Sequence, residues 1–495
     1  MKTAAKIIHD TVLLFARSLL QQIIQVPVFI LTAKVLGPEG LGLLRLLGIV
    51  PMLSKYGSID FASVILREVA ENTDPEGRIK PTVARNVAYT VNILWGAGLT
   101  TAVLAWSFVT EGGSEMAWGL RIGAVCLMLS TISRLMQVNC SLERNFSAIA
   151  KAGMADVLVS ATFTIASIWM LGVLSPLLAA MLACMFQLYW LSTRVGLGLR
   201  PALDGAEVRR QAVIAFPMAL GTMVSGAQTW GERVLVGALW GMAGLGYFSF
   251  LMTVVSIACL LLNNLSQAGS THVYHRFGNR EGPVAAGRLI DAPTLSLACL
   301  TPLLAAMAVF WVAPLVEHFM PDFARVVPLL PLMAAVLMLS PLTNFYGGAL
   351  NSTRFNAQTA NLVVGLASLG VFAAGCWMAA ELGAGVEGAM AARIVALVLS
   401  NLATIVIAAR FLHPGWRQTA FKLIEFHLPG VVACGLIVAL NALGDDLWLR
   451  VAGMPMLFVV LYSPVLVYWE KRTALIREFF LPRIRLAVGR MAGRG

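Results

Sequence analysis

The chain has 495 residues, of which 58% are hydrophobic and only 12% charged, whereas a soluble chain of this size carries about 25% charged residues. A mean hydropathy of +0.80, spread over apolar runs that recur from Thr11 to Trp469, leaves no polar stretch for a soluble catalytic or nucleotide-binding module. The formal net charge of +11 does not read as a nucleic-acid footprint, because most basic residues gather in the connections on one side of the expected spans.

Crossing the hydrocarbon layer takes about 20 apolar residues, and the runs predict spans at 11–36, 41–64, 87–109, 117–138, 152–171, 174–193, 212–235, 243–268, 292–316, 328–350, 357–379, 386–409, 427–443 and 450–469. The expected fold class is therefore an all-α polytopic membrane protein with about fourteen transmembrane helices. Behind the basic start, Lys2 and Lys6, stands a long apolar segment without a small-residue cleavage site, which reads as a retained first helix. The uncharged run Val157–Thr193 divides at Gly172 to Pro176, and Val234–Thr271 divides in the glycine-rich 237–246 region. Basic residues in the even-numbered connections and in the tail place both termini on the cytoplasmic side.

Two stretches echo each other. Val35-Leu-Gly-Pro-Glu-Gly-Leu-Gly-Leu-Leu44 joins the first two spans, and Leu239-Trp-Gly-Met-Ala-Gly-Leu-Gly-Tyr-Phe248 joins the seventh and eighth. Gly37 and Gly241, Gly40 and Gly244, and Gly42 and Gly246 all lie 204 residues apart. The expected division is a six-helix bundle over 1–193, a cytoplasmic linker over 194–211, a second six-helix bundle over 212–410, two added helices within 427–469 and a basic tail over 470–495. Six being even, the bundles are parallel repeats related by an axis along the membrane normal. Paired bundles around a central space form a device that can open to either side.

No catalytic motif or metal-ligand spacing is present, so neither an enzyme nor a cofactor is expected, and the seven cysteines read as small core residues. Charge inside the spans is the informative signal, because it is costly unless it meets a partner or a wet cavity. Arg17, Lys34, Arg45, Lys55, Arg121, Arg233 and Arg393 lie within spans, an excess of cations suited to a cavity for an anionic group. Competing structural readings are headgroup contact at span ends for Arg45, a local pair with Glu232 for Arg233 and an internal pair with Asp60 for Lys55. Gln21 and Gln25 follow Arg17 at four-residue steps, and Asn263, Asn264 and Gln267 add polar groups on the eighth span, as a hydrated lining or as glue between helices. Asp60 and Asp156 are the main carboxylates on the second and fifth spans.

Thr32-Ala-Lys-Val-Leu-Gly-Pro-Glu-Gly-Leu-Gly-Leu43, Leu66-Arg-Glu-Val-Ala70 and Gly237-Ala-Leu-Trp-Gly-Met-Ala-Gly-Leu-Gly-Tyr247 resemble the polysaccharide, or O-antigen, flippases of the multidrug/oligosaccharidyl-lipid/polysaccharide (MOP) exporter superfamily. The resemblance implies a MATE-like plan of two six-helix bundles plus two helices in the bacterial inner membrane. It also implies flipping of a polyprenyl-diphosphate-linked glycan without ATP hydrolysis, through a cationic cavity, beside membrane lipid and with glycosyltransferases and a polymerase as partners. Carried onto this sequence, it implies Arg17, Arg45, Lys55 and Arg233 as the cavity cations. It likewise implies Asp60 and Asp156 as candidates for proton or sodium coupling, with substrate exchange without ion coupling as the alternative. Alternative readings are a lipid II flippase, a multidrug cation exporter and a non-transport scaffold of a glycan-synthesis complex.

Overall fold

The structure, a computed structural model, describes residues 2–57, 61, 64–65, 81–110, 114–143, 145–194, 200–278, 283–350, 357–412, 415–444 and 446–473. Their side chains are described except at 2–16, 81, 217–218, 225, 261, 263–286 and 288–289. All regular elements among these residues are helical, and twelve helices are long and apolar enough to cross a membrane. Two of those stretches, Arg17–Tyr56 and Ala219–Leu260, run to 40 and 42 residues, about 60 Å at 1.5 Å per residue and thus twice the hydrocarbon thickness. Each holds a corner. Contacts divide the chain into two compact units, Met1–Phe250 and Leu251–Gly495.

In the first unit, α1 (Lys2–Leu47) turns its corner at Gly37, whose φ of 64° and ψ of −176° lie in a region open almost only to glycine. After it come α2 (Ile49–Tyr56), α3 (Pro81–Val109), α4 (Glu115–Leu142), α5 (Phe146–Leu171), α6 (Leu174–Ser192) and α7 (Gly205–Gly278), the last of which belongs to this unit up to Phe250. The corner of α7 is at Gly241, with φ 70° and ψ −175°. Ser114 begins α4 by accepting the Ala117 N–H, and Asn145 begins α5 by accepting that of Ala148. Gly172, at φ 52°, turns α5 into α6 at the break that the sequence marks at Gly172 to Pro176. Ahead of the apolar part of α7, Arg210 donates to both carboxylate oxygens of Glu207 at 2.9 and 2.6 Å, which holds that carboxyl below its ordinary range.

Buried polar pairs fix this unit from inside. Tyr89 on α3 donates to Asn139 on α4 at 2.5 Å, and Ser133 on α4 donates to Gln187 on α6 at 2.5 Å. In a membrane these bonds give specificity of pairing more than stability, each being worth about 1–2 kcal/mol at most. Around the first pair, Phe61, Val64, Ile65, Ala88, Leu135 and Ala215 form an apolar core.

The second unit continues with α8 (Pro283–Phe319), a 3-10 helix (Pro321–Leu329), α9 (Leu330–Leu339), α10 (Asn344–Leu350), α11 (Gln358–Glu381), α12 (Val386–Leu412), α13 (Trp416–Asn441), a π-helical turn (Leu449–Gly453) and α14 (Met454–Thr473). Its core joins Leu295, Cys299, Phe345, Tyr346, Ile405 and Phe426, with Trp469 of the last helix at the edge. Trp469 also donates to Ser296 on α8 at 3.0 Å.

Four span boundaries depart from the sequence reading. The span expected over 41–64 is interrupted where α2 ends at Tyr56, and Gly57 has φ −97° and ψ 0°. That expected over 328–350 is broken between Leu339 and Asn344, where Asn401 of α12 donates to the Leu339 carbonyl at 2.9 Å and accepts from Thr343 at 3.0 Å. The span placed at 427–443 begins as a helix at Trp416, and that placed at 450–469 runs on to Thr473. Charges at those ends are paired inside the protein, so hydropathy alone stops the helices too soon.

Candidate functional site

The end of α2 is held by donors from two neighbouring helices. A helix C-terminus carries a partial negative charge on its last carbonyls. Here Arg134 of α4 donates through Nη1 to the carbonyls of Ser54 and Lys55 at 3.2 and 3.4 Å, and the Trp95 indole of α3 donates to that of Gly57 at 2.7 Å. Lys55 itself is exposed, with its ammonium 4.9 Å from the centre of the Tyr56 ring. Arg134 is absent from the candidates read off the sequence, where it is one more arginine in an apolar run with no motif around it.

Arg45 and Arg233 come together. Arg233 donates weakly to the Arg45 carbonyl at 3.4 Å and to the Met52 sulfur at 3.9 Å. The two guanidinium groups repel each other electrostatically, while buried Glu232 and half-buried Tyr56 also act on Arg233. The Arg45 guanidinium lies 5.6 Å from the centre of the Phe29 ring, and Phe29 packs on Phe250 at 5.4 Å. Like charges held close in a medium of low dielectric favour the entry of an anion.

Arg17 meets a different partner. It is half-buried against α5 and interacts electrostatically with half-buried Asp156. The two residues have separate expected roles, as cavity cation and as coupling carboxylate, and the structure brings them within electrostatic reach of each other. Gly153 makes the room: the place of a Cβ there is occupied by the Arg17 guanidinium. Gly153→Ala and Asp156→Asn are thus expected to act on one pair. A double-mutant cycle on thermal stability should show coupling beyond the ~0.3–0.5 kcal/mol scatter of independent sites.

Of the expected polar lining, Gln21 is half-buried and Gln25 exposed on α1. Asn263, Asn264 and Gln267 fall on α7, but their side chains, like all of Asp60, lie outside the described residues.

The two glycine corners meet each other. A Cβ on Gly42 would run into the Met242 carbonyl, and one on Gly246 would run into the Pro38 carbonyl. With the offset of 204 residues, Met242 corresponds to Pro38 and Gly246 to Gly42, so each repeat offers the same glycine to the same backbone position of the other. The sequence echo is therefore a reciprocal contact as well as a repeated turn.

In the second unit a separate polar cluster joins α8, α10, α13 and α14. Lys422 lies 3.2 Å from Asp291 and 2.7 Å from Glu425. Tyr346 donates to Asp291 at 2.6 Å, Tyr468 donates to Glu425 at 3.0 Å, and Arg472 stands 3.5 Å from Glu425. The cations balance the carboxylates, as a structural tie requires. None of these residues is among the sequence candidates. No group of three or more His, Cys, Asp or Glu among the described residues could hold a metal ion.

No protein-family model and no curated protein matches the chain. Solved structures do match. A lipid II flippase MurJ in an inward closed conformation aligns with a TM-score of 0.64 at 12% identity, over 93% of this chain and 98% of that one. An inward-facing multidrug resistance MATE family transporter of the MOP superfamily aligns at 0.57 and 11% identity, over 88% and 100%. The outward-facing conformation of a MATE transporter of the same superfamily aligns at 0.53 and 12%, over 83% and 96%. At such identity the likeness concerns the backbone. This chain has the all-α, polytopic membrane fold that the MATE and MurJ structures share.

Proposed function

We propose that this protein carries a polyprenyl-diphosphate-linked saccharide across the bacterial inner membrane by alternating access. Fourteen spans with both termini in the cytoplasm are part of this proposal, and the two cornered stretches, each long enough for two crossings, support it. Two six-helix bundles, 1–193 and 212–410, would then rock about the diphosphate while the prenyl chain stays in lipid. The observation that carries this reading is the repulsive pair Arg45 and Arg233, two cations that a diphosphate would stabilise. Asp156, within electrostatic reach of Arg17, is the candidate for ion coupling among the described residues, since protonating it would remove that attraction.

Among such lipids, the TM-score of 0.64 with a lipid II flippase favours lipid II over the O-antigen or other polysaccharide precursors that the sequence resemblance suggests. The test is a vesicle assay that follows the orientation of labelled lipid II and of a polyprenyl-diphosphate-linked glycan, run beside efflux of a cationic drug. Flipping of a glycan lipid, slowed about tenfold or more by Arg45→Gln or Arg233→Gln, is expected from the loss of a charged hydrogen bond of about 1.5–3 kcal/mol. Drug efflux without glycan-lipid flipping would replace this reading with that of a multidrug exporter.

A further inference from the structure

We infer that Arg134 is a positioning residue, which occupies the interior carbonyls of α2 so that the Lys55 ammonium stays turned toward an anion. This deepens the function proposed above and rests on it for the identity of that anion.

A lysine in the last turn of a helix can bend back and donate to the final carbonyls, where the helix dipole also attracts it. Lys55 is in that last turn. Those carbonyls are already taken: Arg134 holds Ser54 O at 3.2 Å and Lys55 O at 3.4 Å, and Trp95 holds Gly57 O at 2.7 Å. Both donors come from neighbouring helices, α4 and α3, so the helix that ends is held by helices that continue. The Lys55 ammonium instead lies over the Tyr56 ring at 4.9 Å, and its side chain is exposed. A broken helix end inside a membrane needs such cover, because bare carbonyls there cost several kcal/mol each. Arg134 answers that need with a fixed, planar donor and leaves the mobile ammonium for a ligand.

The arrangement also accounts for the choice of residues. Arginine can meet two carbonyls at once from a fixed position, which suits a permanent cap. Lysine is a compact charge on a flexible stem, which suits a group that must take up and let go of a passing anion. Exchanging the two types would put the mobile group on the scaffold and the rigid one in the path.

The purified full-length chain, acylated briefly with a water-soluble amine reagent, gives a readout independent of transport. Modification of Lys55 is measured by mass spectrometry relative to exposed Lys34. Arg134→Gln is expected to lower Lys55 modification about fivefold as the ammonium folds onto the vacated carbonyls, and Arg134→Lys to restore most of it. Trp95→Phe, which uncovers one carbonyl, should give a smaller fall. If Arg134 serves only to hold α2 together, its loss frays the helix end and Lys55 modification rises or stays level, which overturns the inference. So does a wild-type Lys55 that the reagent does not reach. Inorganic diphosphate added to the wild type should protect Lys55. If the variant series behaves as expected but protection fails, the positioning role stands and the diphosphate reading falls.

Discussion

A side chain at Gly246 is expected to be among the most damaging single changes in this protein. Gly246→Val and Gly42→Val should each destabilise the chain by about 1–3 kcal/mol, because a Cβ at either site meets a backbone carbonyl, which cannot move aside as a flexible side chain could. Gly37→Ala and Gly241→Ala should cost about as much for another reason: φ of 64° and 70° with ψ near 180° is a conformation that only glycine adopts without strain. Gly98→Ala supplies the contrast. A Cβ at Gly98 meets nothing within 4 Å, so alanine there should be neutral or stabilising by up to about 1 kcal/mol. Thermal unfolding followed by the fluorescence of the 12 tryptophans ranks all five variants. Equal midpoints for Gly98→Ala and Gly246→Val would show that the corners do not depend on their close approach.

The second large effect belongs to the other unit. Lys422→Met leaves Asp291 and Glu425 without the ammonium they share, and removing one partner of a buried pair costs about 3–5 kcal/mol. Because the Lys422 side chain is 23% exposed and Arg472 also reaches Glu425, the lower end of that range is expected. Adding Glu425→Gln to Lys422→Met should cost less than the sum of the two single changes, since it removes part of the stranded charge. The same thermal measurement decides this, and additive losses would mean that the cluster acts as separate surface contacts.

Some of this architecture was legible in the amino-acid sequence. Apolar runs revealed the helices because a bilayer admits little else, and the glycines of the repeat stood out because no other residue can replace them at Gly37 and Gly241. Their mutual contact was hidden, since an equal spacing says that two turns are alike and not that they touch. The stop after Tyr56 was hidden too, because Phe61, Val64 and Ile65 keep the run apolar while Gly57 bends it. Arg17, Arg45, Lys55 and Arg233 could be picked out as charges in costly places, but their partners could not. Asp156 and Arg134 are brought to them by packing between helices distant in sequence. Lys422 falls between the predicted spans 386–409 and 427–443 because charge reads as the end of a span, whereas it lies within helix α13 beside Asp291 and Glu425. Asn401 escaped notice because one amide in an apolar helix looks the same whether it faces lipid or, as here, spans a gap in its neighbour.

The match of Gly42 to the Met242 carbonyl and of Gly246 to the Pro38 carbonyl has the pattern of an isologous interface, in which i touches j and j touches i. Such a contact needs no second gene product designed to fit the first: one ancestor carrying a single copy of the repeated turn, pairing with its own copy, would already possess both halves of it. Duplication and fusion would then have joined two chains whose seam was complete beforehand, and later divergence elsewhere could proceed while this point of self-recognition stayed glycine on both sides.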